Sequence, residues 1–274
     1  MTISLIIPAY NEEAYIGACV ESVLEHAPRN LIEVIVVCNA CTDRTAEIAA
    51  RYPGVRVLHE NRKGTGYARQ AGFDASTGDI IAYIDADARI VADWFPSLEH
   101  EFSTDASLVS LSGPSRFYDL EEWKDALLYY VWWKTCAMAG HRYGRFNIAG
   151  GNFAVRRTAL ESIGGFDTSI PFWGDDTDLG RRLGDAGNAK FTTSFRNYSS
   201  ARRLKNEGAL KLSTNYAMNF ISQAYFQKTF TSGYGEHDWT KAPVRATSRR
   251  WSAVVAKAKK AASYARSGSM KLPK

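Results

Sequence analysis

Gly78-Asp-Ile-Ile-Ala-Tyr-Ile-Asp-Ala-Asp-Ala88 is the stretch on which the reading of this 274-residue chain turns. Residues 80–84 are apolar throughout, the pattern of a short strand covered on both faces of a sheet. Asp85 and Asp87 follow at the strand's C-terminal end, separated by the small Ala86. In open α/β sheets, ligands bind at that end of the strands. Acids at i and i+2 of an extended chain point to opposite faces, so the chain must turn here for both to serve one purpose. After a turn both can lean toward one hard cation, Mg2+ or Mn2+, of the kind that bridges to diphosphate oxygens. The alternative is a strand-end turn whose Asp side chains bond local backbone.

Working back from this strand, the sequence alternates strand and helix. Ile3-Ser-Leu-Ile-Ile-Pro8 reads as a first strand stopped by its proline. Ala9-Tyr-Asn-Glu-Glu13 is a loop into a helix, with Asn11 as its cap and Ile16, Val20, Val23 and Leu24 as its apolar stripe. Glu33–Val37 and Val55–Leu58 read as the second and third strands. Asn61-Arg-Lys-Gly-Thr-Gly66 is a basic, glycine-bearing loop entering a helix that runs through Arg69 to Ala75. Such alternation implies right-handed crossovers and a mostly parallel sheet. The glycines match neither a dinucleotide fingerprint nor a P-loop.

Beyond the strand the pattern is less regular. Helices are expected over 93–102, 120–139, 156–163, 179–186 and 208–230, and strands over 107–111 and 190–194, with a glycine turn into a strand over 147–155. Phe172-Trp-Gly-Asp-Asp-Thr-Asp178 is a loop whose acids open a helix, where capping is their simplest use.

Apolar content is 45%, enough for a sizeable core. The four cysteines follow no signal-peptide pattern, so a reducing, cytoplasmic setting is the expectation, and the lone Cys38/Cys41 pair lacks the second pair that a zinc site needs. No run is apolar enough to suggest a membrane span. Residues 241–274 carry ten Lys/Arg and no acid, so the net charge of +5 belongs to the tail and the body is mildly acidic. The sequence therefore gives no reason to expect a nucleic-acid-binding body.

In order along residues 1–205 stand Ile6-Ile-Pro-Ala-Tyr-Asn-Glu-Glu13, Val37-Cys-Asn-Ala-Cys-Thr-Asp43, Lys63-Gly-Thr-Gly-Tyr-Ala-Arg-Gln-Ala-Gly72, Asp85-Ala-Asp87, Gly150-Gly-Asn-Phe-Ala-Val-Arg156, Gly164-Gly-Phe-Asp167 and Gly174-Asp-Asp-Thr-Asp-Leu179. With these the chain resembles the family-two glycosyltransferases of GT-A fold. The resemblance implies an α/β, Rossmann-like mixed but mostly parallel sheet flanked by helices. It implies a nucleotide-binding half over about 1–105 and an acceptor half over about 106–205, followed by a helical extension (206–240) and the basic tail (241–274). It also implies inverting transfer of one sugar from a nucleoside-diphosphate sugar, a UDP-sugar favoured, to a hydroxyl. Asp87 would hold Mn2+ or Mg2+, aided by Asp85, and the cation would neutralise the leaving diphosphate. Pro8, Ala9, Tyr10, Glu12, Asn39, Lys63, Arg69, Asp85 and Ala86 would line the donor. The family often has an acid where Asn39 stands, and an amide oxygen there can still accept a base N–H. Asp176 would be the general base, raised in pKa by Asp175 and Asp178. Gly151, Asn152, Trp173 and Asp175 would lie on the acceptor side. Neither a QxxRW motif nor membrane spans of a processive polymerase are seen, and Arg202 or Arg203 could reach a phosphate.

Trp251, Val254, Val255 and Tyr264 among the basic residues of the tail suit an anionic bilayer surface and a lipid-linked acceptor, or else a solvated basic tail. The competing functions are a nucleotidyltransferase making nucleotide sugars and a non-catalytic module binding a nucleotide sugar or an anionic surface. Pro8-Ala-Tyr-Asn-Glu stands where the first of these would carry a glycine-rich phosphate loop.

Overall fold

The structure, a computed structural model, describes residues 1–130, 148–170 and 174–222. The first half runs β1 (Ile3–Ala9), α1 (Ile16–Glu25), β2 (Leu31–Asn39), α2 (Thr45–Ala49), β3 (Val55–Glu60), α3 (Thr65–Ala75) and β4 (Ile80–Ile84). There follow α4 (Trp94–Thr104), β5 (Leu108–Ser112), β6 (Ser115–Phe117) and α5 (Glu122–Leu128), then β7 (Asn152–Arg156), α6 (Arg157–Ser162), α7 (Asp175–Ala186), β8 (Asn188–Phe191), β9 (Asn197–Ser199), α8 (Arg202–Glu207) and α9 (Ala209–Ile221).

Seven strands form one sheet in the order β3-β2-β1-β4-β7-β5-β8. β1 to β4 pair in parallel, β7 runs antiparallel to β4 and β5, and β8 is parallel to β5. This is the mixed, mostly parallel sheet that the sequence implied. The chain winds outward from β1 through β2 to β3, then returns to β4 on the other side of β1. That reversal opens a crevice beyond the C-terminal ends of β1 and β4, which carry residues 10–13 and 85–88.

Alternate residues of the central strands feed two cores. Leu5, Ile7, Ile80, Ala82 and Ile84 pack on one face with α1 and α4, through Val20, Trp94 and Leu98. Ile6, Ile35, Ile81 and Tyr83 pack on the other with α3, α6 and α7, through Phe73, Leu160 and Leu179. Period-two alternation within an all-apolar strand is what a sheet buried on both faces requires. Gly72 lets α3 lie against β1, because a Cβ there would overlap the side chain of Ile6.

Two local expectations are corrected. Pro8 does not end β1, which runs on to Ala9; pairing with β4 stops at Ile6, so Pro8 lies where only β2 is paired. Asn11 is not a helix cap. It has φ 52°, and its amide bonds Thr42, donating to Oγ1 at 3.2 Å and accepting from the backbone N–H at 2.8 Å. The expected ends of the helices at 120–139 and 208–230, and the whole basic tail, lie outside the described residues.

Candidate active site

The turn after β4 places its two carboxylates differently. Antiparallel pairing with β7 sets Ile84 beside Asn152, so Asp85 follows beside Gly151, whose carbonyl accepts from the Asp85 N–H at 3.4 Å. The Asp85 side chain is exposed at this point. Desolvation by the protein packed around it, then the charge of Asp87, raises its pKa although one side stays open to solvent, with Arg69 pulling the other way. A Cβ on Gly151 would overlap Asp85 Oδ2, so only glycine leaves that carboxylate its place. Asp87 is buried, accepting from Ser199 Oγ at 3.0 Å through Oδ1 and pairing with Arg202 Nη2 at 3.3 Å through Oδ2. Ala86 between them packs into the core.

The second acid pair opens α7. Gly174, with φ 92°, turns the chain into the helix. Asp175 pairs with the buried Arg69, which also donates from Nη2 to the Gly150 carbonyl at 2.7 Å. Asp176 accepts from the Thr177 N–H at 2.8 Å through Oδ1, and its Oδ2 lies 3.2 Å from where a Gly150 Cβ would be. Its pKa is pushed up to about 6, by burial first and the charge of Asp175 second, with Arg69 opposing. Asp178, expected to add to this, is instead paired with Arg181 and Arg182 at 2.9 and 2.7 Å. The two acid pairs thus flank Gly150 and Gly151, with Arg69 between them.

Loops after β1 and β3 complete the site. The Tyr10 hydroxyl accepts from Lys63 Nζ at 3.0 Å, and that ammonium also lies 4.3 Å from the ring centroid. Glu12 forms a two-point pair with Arg202, whose guanidinium lies 4.5 Å above the Tyr15 ring. Burial pushes the Glu12 pKa up to about 7 against that pairing. Ala9 is buried and Pro8 half-buried, and the Ala9 carbonyl accepts from the Cys41 thiol at 3.3 Å. Cys19, Cys38 and Cys41 are free thiols.

Asn39 is buried and closed on the chain. Its Nδ2 donates to the Glu60 and Arg62 carbonyls at 3.2 and 2.7 Å, and its Oδ1 accepts from the Gly64 N–H at 2.8 Å. It shapes the loop that carries Lys63. Asn152 is corrected more fully. Its side chain does not line the floor between donor and acceptor but is wholly buried, accepting from Trp94 Nε1 at 2.8 Å and donating to the Phe195 carbonyl at 2.7 Å. Trp173 lies outside the described residues. Nothing in the sequence marks Ser199 as a partner of Asp87. Arg202, expected at a phosphate, instead pairs with Glu12 and Asp87; an arginine within a basic stretch carries no sign of which carboxylates it will meet.

Among the described residues, no group of three or more His, Cys, Asp and Glu side chains gathers as a metal cage. The donor set at β4 is two carboxylates of like charge, one of them open. Mg2+ and Mn2+ sites shared with substrate phosphates are built on one or two carboxylates, so these residues fit such an ion. No helix among the described residues is long and apolar enough to cross a membrane.

A sequence model described as glycosyl transferase family 2 matches residues 4–164, ending short of the second acid pair. The chain is 31% identical to the glycosyltransferase AglE of Haloferax volcanii over 193 residues, 68% of this chain and 62% of that protein. Its fold is similar to that of the Pyrobaculum calidifontis mannosyltransferase PcManGT solved with GDP-Man and Mn2+. That similarity has a TM-score of 0.63 at 21% identity over 98% of this chain and 76% of the other. It is similar as well to glucosyl-3-phosphoglycerate synthase from Mycobacterium tuberculosis solved with Mn2+, UDP and phosphoglyceric acid, with a TM-score of 0.60 at 22% identity over 86% and 81%. Against three further bacterial proteins named as glycosyltransferases the matched stretch spans only 37%, 29% and 30% of their length. The family match covers more than half of the sequence, and the chain therefore belongs to glycosyl transferase family 2.

Proposed function

We propose that the protein transfers one sugar from a nucleoside-diphosphate sugar to an acceptor hydroxyl with inversion at the anomeric carbon. The observation that carries this reading is the placement of two acid pairs on either side of Gly150–Gly151, each with one carboxylate tied to an arginine and one less encumbered. Asp85 and Asp87 would hold Mg2+ or Mn2+, which when bound supplies positive charge to the departing diphosphate.

The other roles belong to the chain itself. The loop of Pro8, Ala9, Tyr10 and Glu12, with Lys63, receives the nucleotide. Asn39 acts on the base by fixing the 60–64 loop. Arg69 keeps Asp175 and the Gly150 carbonyl in register, so the position of Asp176 is set from both sides. The Thr177 N–H holds Asp176 Oδ1, leaving Oδ2 on the Gly150 side to take the acceptor proton. As the acceptor oxygen bonds to the anomeric carbon, the bond to the diphosphate breaks and its electron pair leaves with the phosphate oxygen. A base with pKa about 6 is ionised at neutral pH yet more basic than an ordinary Asp.

A UDP-sugar is the favoured donor. Both structural relatives above were solved with a nucleotide and Mn2+, UDP in one and GDP-Man in the other, which supports the donor class and leaves the base to experiment. A lipid-linked acceptor at a membrane face, reached through the basic residues 241–274, extends this reading; liposome association unchanged on removing those residues would rule it out. The main test is a thermal-shift panel of nucleoside diphosphates and their sugars, with and without Mn2+, on the wild type and Asp87→Asn. A ligand at 100 times its dissociation constant adds about 2.7 kcal/mol of stability. Metal-dependent stabilisation by one nucleotide, lost in the variant, is the expected result. Stabilisation by none, or by one regardless of Asp87, contradicts the reading. Pyrophosphate release from a sugar phosphate and a nucleoside triphosphate would favour a nucleotidyltransferase instead.

A further inference from the structure

The side chain of Arg202 is held at one corner of the site by three separate contacts. Its Nη1 donates to Glu12 Oε2 at 2.7 Å, and its Nη2 pairs with Glu12 Oε1 and, at 3.3 Å, with Asp87 Oδ2. The guanidinium plane rests over the Tyr15 ring. Its Nε is buried with no hydrogen-bond partner among the described residues. Only 8% of this arginine is exposed. It is held in turn from its own segment, where its backbone N–H donates to Ser200 Oγ at 3.2 Å and the N–H of Ala201 donates to Asp119 Oδ1 at 2.7 Å. One fixed cation therefore joins the loop after β1 to the turn after β4.

The contacts are unequal. The bond to Glu12 is two-pointed, the strong form of an arginine–carboxylate pair. The contact with Asp87 is single and longer. A guanidinium beside this carboxylate opposes a divalent ion at the same place twice, by repulsion and by occupying an oxygen. Once a diphosphate is present, its negative charge offers the cation a new partner.

Building on the reading of Asp85 and Asp87 as a metal-binding pair, we propose that Arg202 is a resident counter-cation at Asp87: it stays bonded to Glu12, gives up Asp87 when a divalent ion binds, and so restrains metal binding in the absence of nucleotide. Arg202 is thus a positioning residue for the donor loop and a brake on the metal site. A merely structural Arg202 would predict only losses on substitution, whereas a brake predicts a gain.

The test is a titration of Mn2+ alone into the 274-residue chain, with free Mn2+ followed by electron paramagnetic resonance. The variants are Arg202→Gln, the double variant Glu12→Gln/Arg202→Gln, and Asp87→Asn. The double variant replaces the Glu12–Arg202 pair as a unit, so the net charge of the corner is unchanged and Glu12 is not left unpaired, while Asp87 keeps its bond from Ser199 Oγ; it therefore reports even where the single variant does not fold. It also separates occupancy of Asp87 from the general field. Both Arg202 variants are expected to bind Mn2+ more tightly than the wild type by roughly tenfold, and Asp87→Asn to bind it weakly. Tightening in the single variant but not in the double one would overturn the proposal, because charge alone would then account for the gain. Equal or weaker binding in both variants, with binding still lost in Asp87→Asn, overturns the proposal and leaves the metal site standing. An absence of saturable binding in the wild type and in both Arg202 variants overturns the proposal together with the metal site.

Discussion

Asp85 and Asp87 close a strand, while Asp175 and Asp176 open a helix. In each pair an arginine from a distant part of the chain ties one carboxylate, Arg202 at Asp87 and Arg69 at Asp175. The other member stands toward Gly150–Gly151. The pairs differ in what surrounds the less encumbered acid. Asp85 is exposed and suits an ion with a water shell. Asp176 is half-buried next to a like charge and suits a proton. Position at a helix N-terminus should favour an ionised acid by about 0.3–1 kcal/mol. The rise from 3.8 to about 6 corresponds to at most about 3 kcal/mol in the opposite direction, so burial and Asp175 outweigh the helix.

The sharpest way to break this division is Asp176→Asn. Release of nucleoside diphosphate from the donor in the presence of acceptor should fall by about 100- to 10,000-fold. The sign for stability is opposite. A folded-state pKa above the unfolded value means that the folded protein binds the extra proton between pH 3.8 and about 6, so stability falls as pH rises through that window. The variant, free of this cost at pH 7.5, should melt higher in calorimetry, by about 2–4 °C for each kcal/mol recovered. A lower melting point would show the acid to be a structural cap.

Arg69→Lys comes next. A lysine cannot hold Asp175 and the Gly150 carbonyl as the fork does. Turnover should drop by roughly 10- to 100-fold through misplacement of Asp176, while metal-dependent nucleotide binding changes less. An equal loss in both assays would mean that Arg69 serves the donor rather than the base.

A smaller effect sharpens the view of the donor loop. Asn39→Asp would set a carboxylate against the two carbonyls that Nδ2 now serves. We expect a loss of about 1–3 kcal/mol in denaturant unfolding. Unchanged stability would show that the loop can close without those bonds.

The smallest expected effect is a shift in the pH profile. Wild-type turnover should fall tenfold per pH unit below about 6 and level off above it, because the base must be ionised. Asp175→Asn removes a like charge and frees Arg69 to act on Asp176, so the acid limb should move to lower pH. A limb that stays in place would assign it to another group.

Sequence periodicity made the first half of the fold legible because its central strands are buried on both faces, as Ile80–Ile84 show, with helices between. Spacing alone also accounts for Asp178, whose partners Arg181 and Arg182 stand three and four residues on. What spacing could not show was which acid of each pair an arginine would claim, since Arg69 and Asp175 are 106 residues apart. Asn152 misled for a related reason. Its neighbours are glycines at the floor, but strand alternation turns its side chain inward to Trp94. Pro8 and Asn11 differ from expectation because tertiary neighbours set both: pairing with β4 stops before Pro8, and Thr42 holds Asn11 in a left-handed turn.

Calorimetric titration of UDP, in saturating Mn2+, into the wild type, Asp87→Asn and Asp176→Asn side by side, with GDP as a second titrant, separates the two acid pairs. One nucleotide is expected to bind the wild type, Asp87→Asn to lose this binding by roughly tenfold or more, and Asp176→Asn to keep it within about threefold. Equal losses in the two variants would contradict the separation of a diphosphate-holding pair from a proton-accepting one.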